Sequence, residues 1–112
     1  MTGTMNGAMN GYDAQCRADA RLAILAELAR QADGTLSNRV LAPMVELLVP
    51  RRPAAWVDAQ LVWLGEMGAV RLTQHDIAGV GWVIIATLTR TGRDHVERRA
   101  AIPGVATPAD ID

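Results

Sequence analysis

Apolar positions recur at helical spacing through the first two thirds of the chain and then change to β-rich runs after Gly68. In the segment 13–32, Ile24, Leu25, Leu28 and Ala32 share one face, while Arg17, Arg21, Glu27 and Arg30 lie largely outside it and Asp33-Gly34 forms the stop. Leu36, Leu41, Met44, Val45 and Leu48 make a second stripe, with Ser37 or Asn38 available as its N-cap. Pro43 removes an intrahelical bond and crowds the preceding turn, so this helix is expected to start late, near Leu41, or to kink. Pro53 can open a third helix, about 54–67, because its missing N–H would be unpaired there anyway; Val57, Leu61 and Leu64 then face inward until Gly68. Strands are predicted over Val70 to Gln74 and Trp82 to Leu88, flanking the Gly-containing segment 75–81. Thr91 with Asp94 three residues on suggests a capping box for a polar helix ending near Arg99.

That order predicts an α+β fold, mainly α: a winged helix-turn-helix with a three-helix core, a two-stranded β-wing over 70–88 and a C-terminal helix. At 112 residues one domain is expected. Its bounds are read as 13–99, after a disordered N-terminal segment 1–12 whose polar, Gly-rich repeats have little to bury, and before a tail 100–112 carrying Pro103-Gly104 and Pro108.

Charge changes this picture only by region. Residues 1–50 carry four Arg and five acids, 51–99 seven Arg and five acids, and the rest only Asp110 and Asp112, for net values of −1, +2 and −2. A uniformly basic nucleic-acid domain is thereby excluded. No apolar run approaches the ~20 residues of a membrane span, and the N-terminus lacks a basic n-region, so a cytoplasmic location is expected. Cys16, the only cysteine, is read as a packing residue of the first helix and not as a redox sensor. The chain is not read as an enzyme: Ser37 is the single serine and sits where a cap is wanted. His75 and His95 have only sequence-adjacent carboxylates, which point elsewhere on a helix or strand; solvated histidines, no metal and no cofactor are the expectation.

Arg21-Leu-Ala-Ile-Leu-Ala-Glu-Leu28, Gln60-Leu-Val-Trp-Leu-Gly-Glu-Met-Gly-Ala-Val70, Ala86-Thr-Leu-Thr-Arg-Thr-Gly92 and Ile102-Pro-Gly-Val105 together resemble a family of small winged-helix proteins of Mu-like phages and prophages. The helix-to-strand join and the Leu-Thr-x-x-Gly segment are also similar to ArsR- and MarR-type regulators. The resemblance implies the fold; the helix-turn-helix layout then leads to the expectation of a phage or prophage DNA-binding protein, a transcriptional regulator. The third helix departs from such regulators, which often carry Ser or Thr and Arg on the exposed side, where Pro53-Ala-Ala-Trp56 and Asp58 stand here.

Double-stranded DNA is accordingly the expected partner, with the helix 54–67 in the major groove. Arg51 and Arg52 are the candidate phosphate contacts, Ala55, Trp56, Ala59 and Gln60 the candidate base-facing residues, and His75 the wing residue near a minor groove. Asp58 opposes phosphate contact unless it accepts from a cytosine amino group. The alternative is a non-catalytic protein–protein interaction module on the same scaffold, without DNA affinity. A homodimer is favoured because Trp82-Val-Ile-Ile-Ala86 is apolar on both faces and the first helix carries Leu22, Ala26 and Ala29 beside its main stripe. The rival explanation is that the tail, through Ile102 and Val105, folds over this surface.

Overall fold

The computed structural model describes residues 2–108, with side chains from residue 11 onward. Four helices and a three-stranded antiparallel sheet form one α+β body: α1 (Thr2–Arg30), β1 (Thr35–Ser37), α2 (Asn38–Leu48), α3 (Ala54–Glu66), β2 (Val70–Ile77), β3 (Gly81–Leu88) and α4 (Arg90–Val96). α1 begins at Thr2 and not near Asp13, so the segment 1–12, expected to be disordered, lies but for residue 1 within its range.

Helical periodicity decides the core. Cys16, Ala20, Ile24, Leu25 and Leu28 of α1 meet Leu41 and Val45 of α2 and Val57, Leu61 and Leu64 of α3, and Val70, Ile84 and Ala86 close the sheet side. Ala32 is exposed, because the chain leaves the helix at Arg30 and turns through Gly34, whose φ of 68° suits glycine. That turn feeds β1, which pairs with β3 from Thr35↔Thr87 to Ser37↔Ile85; the strand order is β1-β3-β2. β3 is therefore central, and its neighbours Val83 and Ile84 are both buried within one chain. The two-faced apolar character of this strand does not require a second copy.

The start of α2 and the cap of α4 also differ from the sequence-based expectation. α2 starts at Asn38 and carries Pro43 inside it; Pro43 and Arg39 are both exposed, so the carbonyl that the missing N–H leaves free is on the solvent side. Ser37 occupies the N-cap position without a side-chain hydrogen bond. α4 is capped by Thr89, whose Oγ1 accepts from the Gly92 N–H at 3.2 Å and donates to the Gly68 carbonyl at 2.6 Å, so Thr91 and Asp94 form no capping box. Gly68 itself ends α3 with φ 77°, the Ala69 N–H returning to Leu64 O and the Gly68 N–H to Gly65 O, which is the Schellman arrangement. Thr89 thus joins the end of one helix to the start of the next. At Gly92 a Cβ would collide with the Ala69 carbonyl oxygen. The Leu-Thr-x-x-Gly segment is explained by this close approach.

No helix among the described residues is long and apolar enough to cross a membrane.

Candidate functional site

Polar side chains collect on two sides of the body, and only one side is closed. On the closed side, Arg21 is buried although the α1 pattern placed it outside. Its guanidinium lies 3.7 Å from the centroid of the Trp63 ring, its Nε donates to Gln60 Oε1 at 2.9 Å, and another nitrogen donates to the Gly104 carbonyl at 3.0 Å. No carboxylate joins it among the described residues; burial, and then the charge of Arg17, push its pKa down from the usual arginine range. A guanidinium remains protonated there, held by a π face and two oxygens.

The segment after α4 is the cover. Ile102 and Val105 enter the core, the Ala106 N–H donates to Ala18 O on α1, and Gly104, at φ 92°, lies so close to Trp63 that a Cβ would come within 2.7 Å of the ring. His95, 2% exposed, fastens this strap. The Ile102 N–H donates to Nδ1 at 2.9 Å, so Nε2 carries the proton that it gives to the Ala106 carbonyl at 2.8 Å. His95 is thus a neutral structural link and not the solvated residue expected from the sequence. Ile102 and Val105 thus pack within the chain, and the strap's polar contacts are to α1 and α4.

On the opposite side, Asn38 ties α2, α3 and the sheet together. By the β1–β3 register, the residue after Ser37 lies opposite Ile84, and the Asn38 Oδ1 accepts the Ile84 N–H at 3.1 Å in place of a strand carbonyl. Its Nδ2 donates to Asp58 Oδ1 at 3.0 Å. Asp58 therefore has a partner inside the fold. Beside this link an open groove of about 370 Å³ runs between the starts of α2 and α3, lined by Arg39, Ala42, Pro43, Ala54, Asp58 and Trp82.

The residues singled out for DNA contact are brought only partly together. Arg51 is exposed in the turn before α3 and holds a left-handed φ of 67°, uncommon for a side-chain-bearing residue. Arg52 is drawn back: it stands 5.2 Å from the Trp56 ring centroid and 3.6 Å from Asp13 Oδ1, and its buried Nε finds no hydrogen-bond partner among the described residues. Trp56 is half-buried against the core. Ala55 and Ala59 are exposed on one face of α3 with Val62 and Glu66, a face that offers no side-chain hydrogen-bond donor. Gln60 is a correction. At 3% exposure, accepting from Arg21 and donating to Trp56 O at 3.1 Å, it points into the body and away from any base edge. His75 is exposed, within β2 and opposite Val83, since β2 runs three residues beyond the expected Gln74.

Among the described residues no group of three His, Cys, Asp or Glu side chains could hold a metal ion. No protein-family model matches the chain, and neither curated proteins nor solved structures give a match.

Proposed function

We propose that the chain is a winged-helix DNA-binding protein of the phage-regulator kind, which holds the duplex through phosphate contacts and shape and not through base-reading side chains of α3. The observation that carries this reading is the order α1-β1-α2-α3-β2-β3, with the α2–α3 turn placing Arg51 at the start of α3 and a long hairpin following directly. In such a fold the second helix of the pair approaches the major groove and the hairpin an adjacent groove or backbone. Arg51, with Arg52 released from Asp13, supplies phosphate contact at the helix start; Arg71, Thr73 and His75 alternate along one exposed side of β2. Ala55 and Ala59 are exposed and small enough to let α3 approach the duplex closely.

A salt-dependent titration of duplex DNA tests this. The wild type should lose affinity steeply with salt, and the variant with both Arg51→Ala and Arg52→Ala should bind all sequences more weakly, with the log–log slope shallower by about one unit per lost contact. Binding no better than that of an acidic control protein, unchanged in the double variant, would overturn it.

One observation favours the second reading, a protein–protein interaction module. Between Arg71 and Arg90 the hairpin carries no arginine, whereas Ile77, Val80 and Trp82 are exposed there, Trp82 at 61%. A wing of this kind suits an apolar partner better than a phosphate backbone.

A further inference from the structure

Helix α2 presents its core residues Leu41 and Val45 on one side and a second apolar stripe on the other. Val40, Pro43 and Leu47 recur at i, i+3 and i+7, all exposed, and Leu47 at 87% is among the most exposed large apolar side chains of the protein. One flank of the stripe carries Arg39 and Glu46, seven residues apart and both exposed, and neither has an ion-pair or hydrogen-bond partner among the described residues. Seven residues span about 10 Å of helix axis, too far for the two to pair with each other.

We propose that this face of α2 docks a second copy of the same chain, helix against helix and antiparallel, about a two-fold axis near Pro43. The charges select the occupant and its direction. In an antiparallel pair of identical helices each flank meets the same flank of the other helix in reversed order, so Arg39 faces Glu46 of the partner subunit and Glu46 faces Arg39 of the partner subunit. In a parallel pair each flank would meet the opposite flank, so Arg39 and Glu46 would not face one another and their charges would stay unpaired. The same operation brings Leu47 level with residues 38 and 39 of the other copy, where the groove lined by Ala42, Pro43, Ala54 and Trp82 opens to receive it. The stripe, the charges and the groove each serve twice, as an isologous interface requires. This surface is separate from α1 and from the covered faces of β3, and the proposal does not depend on DNA binding.

Sedimentation equilibrium over a wide concentration range tests the assignment on the intact chain. The wild type should show a monomer–dimer equilibrium. Leu47→Glu, at a site too exposed to affect folding, should weaken dimerisation by about 30-fold or more, the scale of losing a central anchor. Arg39→Glu or Glu46→Arg alone turns two attractive pairs into two repulsive ones and should weaken it about five- to tenfold. Combining the two reversals should restore the wild-type constant. A wild type that stays monomeric, a dimer indifferent to Leu47→Glu, or a double reversal no better than either single one would each overturn the proposal. Circular dichroism establishes that every variant is folded.

Discussion

The two polar sides of this small body have opposite fates. Around Arg21, a charge, an amide, an indole and an imidazole are sealed beneath the strap 102–106, and the polar contacts are made within the chain. Around the starts of α2 and α3, the Asn38–Asp58 link is set beside a groove and a row of exposed apolar side chains left uncovered. Burying a charge without carboxylate support is costly, so the first arrangement is sustained by two hydrogen bonds and the cation–π contact, which makes it architecture. Exposing Leu47 and Trp82 gains nothing for a single chain, which is why the proposed association is assigned to the second side.

The largest blow to the comparison is aimed at the core shared by both sides. Leu61 is fully buried between α1, α2 and the sheet, and Leu61→Ala should cost ~2–5 kcal/mol in urea unfolding. A loss under ~0.5 kcal/mol would remove α3 from the core. Next comes the closed side: Arg21→Met keeps the stem but leaves Gln60 and the Gly104 carbonyl without their donor, for a cost of ~1–3 kcal/mol in the same assay. On the open side, Trp82→Ala should change stability by no more than about 0.5 kcal/mol, as for other exposed positions. If Trp82→Ala proved costlier than Arg21→Met, the assignment of the two sides would be reversed.

Most of the helical core was legible because Val57, Leu61 and Leu64 announce their face by spacing. The buried polar residues were legible by position and obscured by type. Arg21 stands with Ile24, Leu25 and Leu28 at i, i+3, i+4 and i+7, and Gln60 stands in the same way with Val57, Leu61 and Leu64. Taken alone, a guanidinium or an amide on such a stripe looks misplaced; two such residues on facing helices are a pair that satisfies one another. β1 was not legible. Its three residues show no period, and the β3 partners that define it lie about fifty positions away in sequence. His95 was obscured for a related reason: its partners are backbone groups of a segment whose Pro and Gly residues suggested a loose tail. Thr89, Gly92 and Gly104 all serve packing, so the motifs they belong to leave the open surface unaddressed.

Amide hydrogen exchange with and without duplex DNA at low salt tests the proposed function most directly. β2 is an edge strand, so its unpaired amides exchange readily and can report a new contact. The account predicts DNA-dependent protection confined to 50–59 and to 71–77, with 100–108 unchanged. Protection of the strap, or none anywhere along the chain, would contradict it.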